Sequence, residues 1–155
     1  MIGTAINNSD GLRNAYLYVR HGMVQVYNKI NLFPGMNEPQ VYQPGLEPGL
    51  WETPIGKIGV TICYDVRFPD LYPGLAKAGA TTILVPAAFP RERINDWSQL
   101  LIQRAKDNRV RMIGINSVGS DGTNEFGGRT MVVEPDGRIR FQADEISPVT
   151  IDLEL

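Results

Sequence analysis

Short bursts of β-branched and aromatic residues, broken at close intervals by Gly, Pro, Asn and Asp, set the pattern of this chain. Met1 to Ile6 reads as a first strand, followed by a turn at Asn7-Asn8-Ser9-Asp10-Gly11. Tyr16 to Arg20 and Met23 to Tyr27 are β-prone and separated by His21-Gly22, the two-residue spacing of a hairpin. Residues 31–54 carry Pro34, Pro39, Pro44, Pro48 and Pro54 and read as an irregular loop, of a length that points to function rather than mere connection. Lys57 to Ile62 predicts a strand that runs into Cys63, and Asp70 to Ala78 a helix closed by Gly79. Thr81 to Val85 is a short β-branched run of the kind buried on both faces of a sheet. Trp97, Leu100, Leu101, Arg104, Ala105 and Asn108 share one helical face, with Asp96 placed as its cap. Met112 to Asn116 is a strand; a polar, Gly-rich loop follows. Thr130 to Val133 and Arg138 to Gln142 are strands about the turn Pro135-Asp136-Gly137, and Val149 to Leu153 is the last strand. Strands alternating with helices, then a meander, predict a layered α/β fold in a single domain spanning residues 1–155. The first strand reads as interior, yet only two clear helices are present to cover a sheet, so more chain is expected upstream of Met1.

Composition narrows the function classes. At 155 residues and 43% hydrophobic, the chain can bury a core. Fifteen basic residues against 17 acidic ones leave a net charge of −2, with no Lys/Arg run, which argues against a nucleic-acid partner. One Cys excludes an internal disulfide, and one His excludes His-rich and Cys/His zinc patterns. No apolar run reaches the ~18 residues of a membrane span, and Met1-Ile2-Gly3-Thr4 lacks a signal-peptide layout. The expectation is a cytoplasmic protein of a reducing compartment, with a small-molecule or protein partner, no metal and no membrane.

Candidate chemistry centres on Cys63. It ends the apolar strand Ile58-Gly59-Val60-Thr61-Ile62 and precedes a turn and a helix. That placement lifts a thiol out at the sheet edge, near a helix N-terminus that favours the thiolate. A lone Cys in apolar surroundings is more often an inert core residue. The dense cluster Tyr64-Asp65-Val66-Arg67-Phe68-Pro69-Asp70 beside it weighs toward chemistry. So does Lys29, which ends a strand within Tyr27-Asn28-Lys29-Ile30-Asn31-Leu32-Phe33. Asp65 and Arg67 read as ties within the turn, and Trp97 as a core residue. His21 sits in a hairpin turn and no Gly-x-Ser-x-Gly elbow accompanies it, which argues against a Ser–His–Asp hydrolase.

These segments continue through Val85-Pro86-Ala87-Ala88-Phe89, Gln103 to Asn108, Gly114 to Gly119, Asn124 to Gly128 and Val132 to Gly137. In this order and over essentially the whole chain they resemble the nitrilase superfamily of carbon–nitrogen hydrolases, in its amidase-like branch. The resemblance implies a layered α-β-β-α sandwich, here partial, and a Glu–Lys–Cys catalytic set without a cofactor. Cys63 matches the nucleophile that forms a thioester, and Lys29 the lysine that holds the oxyanion. Glu38 matches the additional active-site Glu that many members carry. The backbone N–H of Tyr64 would be the second oxyanion donor, and Phe89 would border the substrate. The family's general-base Glu falls upstream of every motif matched here, so the resemblance covers the C-terminal half and somewhat more of the domain. Family members often have Glu where Asp107 stands and His where Asp96 stands. The expected substrate is a small amide, ω-amidase-like or N-carbamoyl-type, and the expected assembly a homo-oligomer. The alternative is a truncated, non-catalytic remnant with a binding or assembly role; an acyltransferase using the same thioester ranks third.

Overall fold

A computed structural model describes residues 2–145, 147, 149, 150 and 152. The chain opens with an antiparallel meander, β1 (Ile2–Asn8), β2 (Gly11–Arg20) and β3 (Met23–Asn28), in the order β1-β2-β3. The β2–β3 hairpin closes at His21 and Gly22 with φ of 47° and 80°. Positive φ at both turn residues is what the twist of a two-residue hairpin demands. β1 pairs only with β2, and from Gly3 onward its residues are mostly exposed. The expected interior strand is therefore an edge strand of a separate small sheet.

Residues 31–54 are more ordered than their prolines predict. They hold a 3-10 turn at Pro34–Met36, the one-turn helix α1 (Glu38–Val41) and the strand β4 (Gly49–Thr53). Pro34 and Pro39 each occupy one of the first two positions of a helical turn, where the missing N–H is not needed. β4 forms a hairpin with β5 (Gly56–Val60). The chain continues through α2 (Leu71–Lys77), β6 (Thr82–Ala87), α3 (Ile94–Asn108) and β7 (Arg111–Asn116). The Gly-rich loop folds into a small hairpin of β8 (Val118–Ser120) and β9 (Glu125–Gly127). β10 (Met131–Val133) and β11 (Ile139–Gln142) complete a six-stranded sheet ordered β11-β10-β7-β6-β5-β4. Its centre, β5-β6-β7, is parallel.

The alternation in β6 explains the layers. Ile83 and Val85 turn to one face, where Tyr72, Leu75, Trp97 and Leu101 of α2 and α3 pack on them. Leu84 turns to the other face, joining Ile58, Ile113 and Val132 beneath Tyr27 of the meander and Trp51. Trp51 stacks on both Tyr16 and Tyr18, at 5.9 Å in each case. Helices, large sheet and small sheet are thus three layers of an α-β-β-α sandwich. Gly114 lets α3 approach: a Cβ there would lie 2.5 Å from the Trp97 ring.

Asp96 does not cap α3. The helix starts two residues earlier, at Ile94, and the Asp96 carboxylate instead accepts a hydrogen bond from Arg67 at 2.9 Å. Of the expected strand Val149–Leu153, residues 149, 150 and 152 are not in a strand, and the other two lie outside the described residues.

Candidate active site

β5 ends at Val60, and the parallel pairing runs one residue further, Thr61 N donating to Leu84 O at 3.0 Å. The chain then breaks sharply. Ile62 is still extended, whereas Cys63 takes φ 47°, in the left-handed region that costs a non-glycine residue free energy. A 3-10 turn, Cys63–Arg67, follows at once. Strand, strained residue and helical turn follow one another here in the order of a nucleophile elbow. Asp65 fixes the bend by accepting the Ile62 N–H at 2.9 Å, and Arg104 holds its far end by donating to Val66 O at 3.0 Å.

Lys29 is reached from β3. Its backbone is fastened on both sides, its N–H to Asn14 O and its carbonyl to Gly45 N, each at 2.8 Å. The side chain is 1% exposed, and Nζ donates to Glu38 Oε2 at 2.6 Å. A buried ammonium needs such a partner. Glu38 opens α1 and is buried rather than solvated. The Phe33 N–H donates to its Oε2 at 2.6 Å, and Asn14 Nδ2 to its Oε1 at 2.9 Å.

Lys29, Glu38 and Cys63 line one cleft of about 230 Å³, together with Asn14, Phe33 and Ala88. A second hollow shares Phe33, Cys63 and Ala88 with it and adds Tyr64, Arg67, Phe89 and Arg93. Cys63 thus stands where the cleft that holds Lys29 and Glu38 meets a largely apolar hollow lined by Tyr64, Phe89 and the side chains of Arg67 and Arg93. Tyr64 packs on Phe33 at 5.0 Å and edge-on to Phe68 at 5.3 Å. Phe89 borders the hollow but is itself buried, 5.3 Å from Trp97 and beneath the Arg67 guanidinium. Arg67 therefore does more than tie its own turn: it reaches across to α3 and edges the hollow. Asn116 holds Phe89 like a strand partner, accepting its N–H at 2.6 Å and donating to its carbonyl at 3.2 Å.

Burial pushes the Cys63 thiol up from 9.0. The Lys29 cation and a hydrogen bond from the Ala88 backbone pull it back, while Glu38 and Asp65 push it further up. The expected help from a helix N-terminus is missing, because the turn after Cys63 is five residues long and α2 begins only at Leu71. A raised thiol is protonated at neutral pH, and its nucleophilic form grows in only as pH rises through the elevated value. Alkylation of Cys63 by iodoacetamide is accordingly expected to keep accelerating above about pH 9, where an ordinary thiol levels off. A plateau reached below neutrality would contradict this electrostatic balance.

The sequence and the family it resembles pointed to Cys63, Lys29, Glu38, Tyr64 and Phe89, and the structure gathers all of them around the two hollows. It missed Asn14, Asn116 and Arg93. Asn14 carried one signal, a β-disfavoured residue in the middle of a β-prone strand. Among the described residues, no group of His, Cys, Asp and Glu side chains gathers to hold a metal ion.

Comparison with known proteins bears on this arrangement. The chain is 34% identical over 133 residues to the 2-oxoglutaramate amidase of Bacillus subtilis, covering 85% of this chain and 51% of that protein. It superposes on Nit3 of Saccharomyces cerevisiae, a nitrilase superfamily member, with a TM-score of 0.84 and 28% identity, over 95% of this chain and 56% of that one. A mutant of the amidase from Nesterenkonia sp. AN1 matches with a TM-score of 0.75 and 28% identity, over 88% and 50%. That structure shows the acetamide moiety of fluoroacetamide added covalently at the active site cysteine. The chain thus spans about half the length of the curated relatives it matches. Its match to the carbon–nitrogen hydrolase family runs from residue 3 to residue 155, so the chain belongs to that family.

Proposed function

We propose that this chain carries, in a single domain of residues 1–155, the nucleophile and oxyanion groups of an amidase that cleaves a small, carboxylate-bearing amide. The observation that carries the reading is the convergence of Cys63, Lys29 and Glu38 on one cleft. The Cys63 sulfur attacks the amide carbon, a C–S bond forms, and the carbonyl electron pair moves onto oxygen. Lys29 Nζ and the Tyr64 N–H hold that oxyanion, a charge-assisted contact in a site shielded from water. Collapse breaks the C–N bond, the nitrogen leaving as ammonia with the proton the thiol gave up, and a thioester remains. Water then splits the C–S bond, its hydroxyl going to the acyl carbon and its proton to sulfur, which releases the acid and restores the thiol. Glu38 holds Lys29 in place and keeps its charge compensated. The proton acceptor for the thiol is the upstream Glu that the family resemblance implies, and it has no counterpart in this chain.

Support for an amide substrate comes from the 2-oxoglutaramate amidase relative, and for the cysteine from the labelled Nesterenkonia amidase. Arg67 and Arg93 are among the residues that line the hollow beside Cys63, and a substrate carboxylate would draw on them in competition with Asp96 and Glu92, with which they pair. Phe89 and Tyr64 supply its apolar wall. The test is ammonia release from ω-amides of dicarboxylic acids, N-carbamoyl amino acids and neutral amides of equal length. Arg93→Ala is expected to raise KM for the acidic amides about tenfold, the worth of one charge-assisted contact, and to leave neutral amides unchanged. Equal effects on both classes would remove the carboxylate from the reading.

A second reading, assembly without turnover, is favoured by Val19, Val24 and Val26, which sit 49%, 55% and 45% exposed on the outer side of the meander. Self-association by light scattering, with no Cys63-dependent ammonia release, would select it.

A further inference from the structure

The meander and the six-stranded sheet share no strand pairing, yet Lys29 leaves one and Cys63 leaves the other. Trp51 stacks across the gap and Gln25 hydrogen-bonds across it to Glu52, but the side chain that joins the two segments bearing Lys29 and Cys63 is Asp65. Asp65 is fully buried, and all its acceptor positions are used. Oδ1 takes the backbone N–H of Asn31 at 2.8 Å and Asn31 Nδ2 at 3.0 Å. Oδ2 takes the Tyr27 hydroxyl at 2.8 Å and the Ile62 N–H at 2.9 Å. Tyr27 and Asn31 stand two residues either side of Lys29, and Ile62 immediately precedes Cys63.

We infer that Asp65 is a positioning residue that sets Lys29 against Cys63, its one carboxylate tying the strand end that carries the ammonium to the turn that carries the thiol. For its catalytic meaning this rests on the function proposed above; the geometry it describes does not. Four donors around a buried carboxylate make a rigid junction, because each oxygen that shifts leaves a buried N–H or O–H unpaired. An amide in its place accepts at one oxygen only and turns an N–H toward donors on the other side. Asp65→Asn therefore loosens either the Asn31 side or the Ile62 side. Tyr27→Phe removes a single link and keeps the carboxylate charge.

The experiment compares Cys63 alkylation by iodoacetate with alkylation by iodoacetamide. Both reagents take the same thiolate, so their ratio is independent of how much thiolate is present. What the ratio reads is the charge facing the sulfur, and a well-placed Lys29 favours the anionic reagent. Asp65→Asn is expected to lower the ratio about threefold, the scale of a single charge moving a few ångströms in a partly screened site. Loss of the Asp65 negative charge alone would raise it, so the sign separates positioning from simple electrostatics. Tyr27→Phe is expected to lower the ratio as well. Circular dichroism establishes that each variant is folded; should Asp65→Asn fail to fold, Tyr27→Phe decides with the same sign. A ratio unchanged or increased in the folded variants overturns the inference. Alkylation needs no amide turnover, so an inactive protein would sink the proposed function and leave this measurement standing.

Discussion

In a full-length version that supplies the upstream Glu, Cys63→Ala is expected to abolish ammonia release, by at least about 10⁴-fold, while leaving the protein folded. No other thiol exists in the chain, so no neighbouring side chain can take over the thioester. Losing a nucleophile commonly costs about as much as losing the whole catalytic set. Stability should change little, because Cys63 is only partly buried and alanine keeps the Cβ that the left-handed backbone already accommodates. A thermal midpoint within a few degrees of the native protein, about the shift that 1 kcal/mol produces in a domain of this size, is the accompanying expectation. Mass spectrometry of protein quenched during turnover should show the acyl adduct on the native chain and none on the variant. Near-normal turnover by Cys63→Ala would remove the thioester from the mechanism.

Lys29→Met is expected to act on rate and stability together. Acylation should slow by about 10²–10³-fold, the usual loss on deleting one oxyanion donor, with KM little altered. An effect confined to KM would make Lys29 a substrate-binding residue instead. The same change strands the Glu38 carboxylate, which sits buried with only Asn14 and the Phe33 N–H left to serve it. Breaking a buried pair in this way costs about 3–5 kcal/mol. Lys29→Met/Glu38→Gln should recover most of that stability, since a neutral amide still accepts from Phe33, but none of the rate. Urea unfolding beside single-turnover kinetics separates the two effects. Recovery of rate in the double variant would show that Lys29 serves the fold and not the oxyanion.

Much of this architecture is legible in the residues because short-range chemistry dictates it. His21-Gly22 makes a two-residue hairpin through its own backbone preferences. In the β-branched run Thr81 to Val85, residues 82–85 are buried on both faces of the sheet as their composition predicts, and Thr81 alone is exposed. Cys63 stood out from its place at a strand end beside a polar and aromatic cluster, and the roles of Lys29 and Glu38 came from the family resemblance. Local rules failed where a distant partner outbid them. Asp96 reads as a cap, but Arg67, on another element, claims its carboxylate and α3 begins earlier. The proline-rich stretch reads as loop, but Trp51 finds Tyr16 and Tyr18 to stack on and a strand forms around it. The first strand reads as interior because its composition is apolar, while its place is set by pairing with β2 alone.

The sequence by itself, through its resemblance to the carbon–nitrogen hydrolases, marked Cys63, Lys29 and Glu38 as the residues of the proposed site. It also carried the strand–turn that presents Cys63, which depends on residue type and on spacing within a few positions. Only the tertiary structure decided that Glu38 is buried against Lys29, that Asn14, 24 residues away from it, holds the other carboxylate oxygen, and that Asp65 joins two sheets. It also reversed the expected electrostatics of Cys63, whose thiol is raised by desolvation where a helix end was expected to lower it. The reason is common to all of these. Burial and charge pairing are properties of the space around a group, and that space is built by residues that approach only once the layers have packed.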